Sequence, residues 1–202
     1  GYGRDAGAAL SAHPDVDYVT FTGSPLTGTA IQQAAAINNR GVTMELGGKS
    51  PQIVFADADI EAALPVLVNA IIQNGGQTCS AGSRILIEKP IYEKLAGGLA
   101  ERFSKLVAAP HDADRDLGSM INPKQKERVE GYVAAAREAG VPVLAEGSVE
   151  PDAPSGGYYV RPALFGAVDP NVAIAQEEVF GPVLTLFPFE GEAEAIRLAN
   201  AT

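Results

Sequence analysis

Apolar positions in this chain fall into two patterns, short contiguous runs and longer stripes at helical spacing, and their succession sets the elements expected. Asp17–Thr22 predicts a buried strand that ends at Gly23-Ser24, and Pro25 suits the first position of a helix reaching about Ala36. Gly41–Leu46 predicts a second short strand, so strand, helix and strand form a βαβ unit with parallel strands. Glycines from Gly1 to Gly7 precede it, with a short helix over Ala8–Ala12.

After Gly47-Gly48 the rhythm restarts. Gln52–Phe55 reads as a strand, and Ile60 to Asn74 carries a helical stripe at Ile60, Leu64, Leu67, Val68, Ile71 and Ile72, with Pro65 as a first-turn proline or a mild kink. Strands are expected over Arg84–Glu88, Pro142–Ala145, Tyr158–Leu164 and Val183–Phe189. Helices are expected over Ile91–Val107, from Asn122-Pro123 through Ala139, and over Glu192–Ala201. Glu150–Gly157 has the composition of a surface loop. The class is α/β with a mostly parallel twisted sheet, and a boundary is expected between residues 1–47 and 48–202. The first piece is too small to bury a core by itself. Because the chain begins inside a glycine turn and stops as a helix is under way, it reads as a segment of a longer protein.

Composition narrows the function classes. With 46% hydrophobic and 20% charged residues, the 202-residue chain is globular in type. A net charge of −10 argues against nucleic acid or an anionic membrane surface as the main partner. One cysteine rules out an intramolecular disulfide framework, so a reducing, cytoplasmic setting is expected. Two histidines far apart, His13 and His111, offer no metal cluster with it. No long apolar run or basic leader is present, so neither a membrane span nor a signal peptide is expected.

The single cysteine, Cys79, lies in Gly75-Gly76-Gln77-Thr78-Cys79-Ser80-Ala81-Gly82. Free cysteines are commonly buried as small hydrophobes. Flanked instead by glycines and hydroxyls, this one suits a nucleophile that a substrate must reach. Two other motifs are weaker. Gly1-Tyr2-Gly3-Arg4-Asp5-Ala6 meets a loose dinucleotide fingerprint without the strand that should precede it, and Gly47-Gly48-Lys49-Ser50 resembles the end of a phosphate-binding loop whose first glycine would fall at Thr43.

A longer constellation holds together. Phe21-Thr22-Gly23-Ser24, Met44-Glu45-Leu46-Gly47-Gly48-Lys49, Gly76-Gln77-Thr78-Cys79 and Glu177-Glu178-Val179-Phe180-Gly181-Pro182-Val183 resemble, in that order, the signatures of the aldehyde dehydrogenase superfamily. The resemblance spans essentially the whole chain. It implies a partial Rossmann-like βαβ piece, the end of an NAD(P)-binding domain, followed by most of a catalytic α/β domain.

The resemblance also implies the chemistry. Aldehyde oxidation needs a nucleophile to add before hydride can leave, and Cys79 takes that part, giving a thiohemiacetal and then a thioester. A helix beginning at Cys79 would favour its thiolate. Glu45 corresponds to the general base that activates water for thioester hydrolysis, in a setting at the end of an apolar strand that could desolvate it. Gly23, Ser24, Leu46 and Gly47 correspond to cofactor-binding positions; Ser24 is equally suited to an ordinary helix cap. Glu178 corresponds to the carboxylate that holds the nicotinamide ribose, with Phe180 packed beside it and Gln125 reaching the same ribose. Lys49 and Arg84 match motif positions, where a salt bridge is as good a reading as catalysis.

NAD and NADP both stay open, as does the aldehyde. The implied partner is a small-molecule aldehyde, in a homo-oligomer of the complete protein. The family's oxyanion-hole asparagine and adenosine-ribose contacts lie upstream of these residues, so the chain alone is expected to turn over little. The alternatives are a folded non-catalytic α/β piece and a coenzyme A-acylating relative, the latter disfavoured by Glu45.

Overall fold

The computed structural model describes all 202 residues and divides between Gly48 and Lys49 into two units. In the first unit a π-helical turn, Gly3–Gly7, leads into α1 (Ala8–Ala12), β1 (Tyr18–Thr22), α2 (Pro25–Ala36) and β2 (Gly41–Glu45). The two strands are parallel, with Thr22 opposite Glu45. α2 starts where it does because Ser24 is extended and its Oγ accepts from Thr27 N at 3.3 Å, with Pro25 preset for a first turn. β1 is not the buried strand expected: Val19 and Phe21 are half-buried while Tyr18, Thr20 and Thr22 are exposed. A two-stranded sheet hides one face of a strand at most.

The second unit holds β3 (Pro51–Val54), α3 (Ile60–Ile72), β4 (Arg84–Glu88), α4 (Tyr92–Phe103), β5 (Val107–Ala108), α5 (Pro123–Glu138), β6 (Val143–Glu146), β7 (Ser148–Val149), β8 (Ala163–Phe165), α6 (Ala173–Gln176), β9 (Val183–Phe189) and α7 (Glu192–Ala199). Five strands form one sheet in the order β3-β4-β9-β8-β6, parallel except for the β6–β8 pair. β5 and β7 pair separately. β4 and β9, inside this sheet, are mostly apolar because both faces are covered. Ile85, Ile87, Leu184 and Leu186 pack with Leu64, Ile71, Leu95, Leu99 and Phe103 in one cluster. Leu86, Val183, Phe187 and Phe189 pack with Val129, Ile174, Val179 and Leu198 in the other. No helix is long and apolar enough to cross a membrane.

Several boundaries differ from the sequence reading. The helix expected to reach Val107 stops at Phe103, and Val107 pairs with Ser148 in β5–β7. The strand expected over Tyr158–Leu164 is confined to Ala163–Phe165, because Pro162 has no amide hydrogen for the ladder. α7 stops at Ala199, and Arg84 is at its end: Nη1 donates to Leu198 O and Nη2 to Ala199 O, each at 2.9 Å, while Nε donates to Lys49 O at 2.7 Å. One buried guanidinium thus satisfies helix-terminal carbonyls and fixes the first residue of the unit. Pro65 lies inside α3 rather than in its first turn.

Arg84→Met keeps the apolar stem but removes these bonds. Urea unfolding of the variant is expected to show a loss of about 3 kcal/mol, the scale of hydrogen bonds made by a charged group; a loss below about 0.5 kcal/mol would place Arg84 among ordinary surface positions.

Candidate active site

In the first unit, the carboxyl ends of the two parallel strands carry the candidate residues. Gly23 N donates to Glu45 O at 3.0 Å, which sets Gly23-Ser24 beside Glu45-Leu46. Ligands of open α/β sheets bind at this end of the strands. Ser24 caps α2, its Oγ accepting from Thr27 N, and so stands at the positive end of that helix. Gly47 continues from Leu46 as exposed, non-helical chain. Glu45 is exposed, not desolvated: the alternation of β2 turns Val42 and Met44 inward and leaves Thr43 and Glu45 facing out.

In the second unit, α3 ends in a 3-10 turn, Gln73–Gly76, whose Asn74, Gly75 and Gly76 all adopt left-handed φ angles of 52°, 62° and 73°. The chain cannot continue as helix after that reversal, so the condition of a helix beginning at Cys79 is not met. It occupies the tip of a turn closed by Ala81 N donating to Thr78 O at 3.1 Å, and it is exposed. Gln77 fixes the approach to the thiol. Its Oε1 accepts from Ile121 N at 2.8 Å, and its Nε2 donates to Asn74 O at 3.0 Å. Gly82 N donates to Ala70 O at 3.0 Å on the far side.

Cys79 and the Glu177–Val183 motif are joined through two glycines. A Cβ on Gly76 would stand 2.2 Å from Gly181 O, and one on Gly181 would stand 2.4 Å from Val129 Cγ2 of α5. Backbone therefore meets backbone between the thiol loop and the motif. Phe180, just before Gly181, takes a left-handed φ of 59°, an uncommon conformation for an aromatic residue. Gln125 stands by this strained bend: its Nε2 donates to Phe180 O at 2.8 Å and to Val179 O at 3.2 Å. Glu178 and Phe180 are half-buried. The structure thus gathers Cys79, Gln125, Glu178 and Phe180 in the second unit, and Gly23, Ser24, Glu45, Leu46 and Gly47 in the first.

A model of the aldehyde dehydrogenase family matches residues 1–202. The chain belongs to the aldehyde dehydrogenase family. An aldehyde dehydrogenase of Emericella nidulans is 45% identical over 204 aligned positions, which take in 100% of this chain and 40% of that protein. A solved structure from Burkholderia cenocepacia, carrying a provisional aldehyde dehydrogenase designation, is 57% identical with a TM-score of 0.98, covering 100% of this chain and 43% of that one. Betaine aldehyde dehydrogenase from Staphylococcus aureus, solved with NAD+, is 38% identical with a TM-score of 0.93, covering 100% of this chain and 40% of that one. The chain therefore spans about 40% of the length of such relatives.

Neither Lys49 nor Arg84 forms a salt bridge, one of the two roles left open for them. Arg84 is occupied with carbonyl oxygens, as above. Lys49 is 6% exposed, and its Nζ has no hydrogen-bond partner. Burial, with Arg84 adding to it, lowers the Lys49 pKa from 10.5 to about 8, while Glu178 and Glu177 pull the other way. The buried amine is thus electrostatically coupled to the acidic motif. Sequence reading also passed over Arg128 and Tyr132, whose side chains reach Glu178 O and Glu177 Oε2. Their signal was present: with Gln125 they share one face of a helix at spacings of three and four. A cavity of about 650 Å3, lined by residues such as Arg137, Glu146 and Tyr159, touches none of the candidate residues.

Two measurements follow from this geometry. Gly76→Ala sets a Cβ against Gly181 O in a left-handed backbone, and is expected to cost this chain about 3 kcal/mol or more in urea unfolding; a loss under about 1 kcal/mol would mean that the two loops do not meet as described. For Lys49, the folded chain binds fewer protons than the unfolded one between pH 8 and pH 10.5, so raising the pH through that window favours the fold. Lys49→Met, free of that dependence, is expected to exceed the parent at pH 7 by up to about 3 kcal/mol. The gap should close as pH rises from about 8 to about 10; a gap that is constant with pH would contradict the assignment.

Proposed function

We propose that the protein to which this chain belongs is an NAD(P)-dependent aldehyde dehydrogenase that releases a carboxylic acid. The observation that carries this reading is the exposed thiol of Cys79 at the tip of a turn, pinned through Gly76 and Gly181 to the segment bearing Glu178. On this reading residues 1–48 end a cofactor domain and the remainder forms the thiol-bearing catalytic domain.

The donor set fits a dinucleotide. Ser24 at the positive end of α2 suits the pyrophosphate, Gly23, Leu46 and Gly47 leave room along the strand ends, and Glu178 suits two ribose hydroxyls. Phe180 supplies an apolar wall, and Gln125 reaches the same ribose through its Oε1. NAD or NADP, when bound, supplies the acceptor for the hydride that leaves the substrate carbon.

The chain's own residues do the rest. Cys79 Sγ, as thiolate, adds to the aldehyde carbon, and the carbonyl oxygen becomes an oxyanion. Loss of hydride from that carbon restores the C=O bond and leaves a thioester on Sγ. Glu45 takes a proton from a water molecule, whose oxygen attacks the thioester carbon; the C–S bond breaks and the acid departs with the thiolate regenerated. An exposed carboxylate such as Glu45 is accessible to that water. Its presence also favours hydrolysis over transfer to coenzyme A. The complete protein is further read as a cytoplasmic homo-oligomer acting on a small aldehyde, and this chain alone as a poor catalyst.

Intact-protein mass spectrometry of the complete enzyme tests the division of labour. With aldehyde and NAD+, Glu45→Gln is expected to accumulate the acyl group on Cys79, and steady-state turnover to fall about 100-fold or more, the scale of one lost general base. Cys79→Ser should carry no adduct. An unmodified Glu45→Gln enzyme with normal turnover would remove Glu45 from the hydrolytic step.

A further inference from the structure

Gln125, Arg128 and Tyr132 stand at helical spacing on α5, and each grips a different part of one short segment. Tyr132 Oη donates to Glu177 Oε2 at 2.5 Å. Arg128 Nη2 donates to Glu178 O at 2.7 Å, and its guanidinium lies 5.2 Å from the centre of the Tyr132 ring. Gln125 Nε2 takes Val179 O and Phe180 O. Four consecutive residues, Glu177 to Phe180, are thus held in order by one helix face.

The helix that does this is itself fixed. Asn122 Oδ1 accepts from Gln125 N at 2.9 Å and caps its first turn. Val129 is fully buried and lies where a Cβ on Gly181 would fall. Between these anchors the segment is strained at Phe180, with φ of 59°, so something must hold it there. Burial and the hydrogen bond to Glu177 both hold the Tyr132 phenol above its ordinary pKa, in keeping with a phenol that stays a donor.

We propose that this face of α5 is a latch, and that Tyr132 and Arg128 are positioning residues which set the backbone on which Glu178 is presented. The proposal rests on the reading of Glu178 as the nicotinamide-ribose ligand. Neither residue needs to touch cofactor or substrate. Both act through Glu177 and Glu178.

Amide hydrogen exchange of the peptide spanning residues 177–182 in this chain reads the latch directly. Tyr132→Phe, Arg128→Met and Glu177→Ala are each expected to speed its exchange about tenfold, the scale of one charge-assisted hydrogen bond. The Tyr132→Phe/Glu177→Ala double variant should add nothing to either single one. Glu177→Gln keeps an oxygen acceptor and should stay near the parent, which a simple charge effect would not allow. Calorimetric titration of the complete enzyme with NAD+ reads the consequence. Tyr132→Phe and Arg128→Met should weaken binding about tenfold while kcat at saturating cofactor changes little. Unchanged exchange in both variants would overturn the latch. Faster exchange with unaltered NAD+ affinity would leave the latch standing and overturn the assignment of Glu178 to the ribose.

Discussion

Gly181 lies between the backbone of the thiol loop and helix α5, and the helix leaves no room for a side chain on it. Gly76 of the thiol loop meets its carbonyl, and Val129 of α5 occupies the space where its Cβ would be. Interiors are close-packed, so such a contact has few ways to relax. The position of Cys79, the strained turn at Phe180 and the presentation of Glu178 all follow from this one sandwich. The left-handed run from Asn74 to Gly76 brings the chain to it, and the buried strand β9 leaves it on the other side.

Electrostatics support the same segment from the start of the second unit. Arg84 spends its donors on carbonyl oxygens and so fixes Lys49 O, the ends of α7 and the first strand pair together. Lys49 then carries an amine into the interior with Glu177 and Glu178 as the acids that offset its burial. A buried cation without a hydrogen bond is costly, and proteins accept such costs chiefly where a site requires them. The acidic segment is held by hydrogen bonds from α5, and its carboxylates offset part of the burial of Lys49.

Much of the fold was legible because local signals agreed with tertiary context. Ser24-Pro25 and Asn122-Pro123 start helices for reasons contained in a few adjacent residues. The largely apolar runs Arg84–Glu88 and Val183–Phe189 are inner strands buried on both faces, and Thr185 within the second is accommodated by donating to Ser83 O. What was not legible depended on contacts distant in sequence. The end of α7 is set by Arg84, more than 100 positions earlier (Arg84 to Leu198, 114). The short β5–β7 pair joins segments with no apolar periodicity. For the site, Cys79 and the acidic motif could be read from residue type and order, but their junction could not. Gly76 and Gly181 show their meaning only when the two backbones are placed together. The exposure of Glu45 was misjudged because strand alternation, not the apolar neighbours in sequence, decides which way it faces.

On the proposed reading, the thiol of Cys79 and the carboxylate of Glu178 lie on segments that meet at Gly76 and Gly181, so that events at one are felt at the other. The most direct measurement is the rate at which a limiting thiol alkylator labels Cys79 in the complete enzyme, followed by mass spectrometry, with and without saturating NAD+. The account predicts that the cofactor changes that rate, because it engages Glu178 on the segment that abuts the thiol loop. An identical rate in both conditions, with binding of NAD+ confirmed separately, would contradict it.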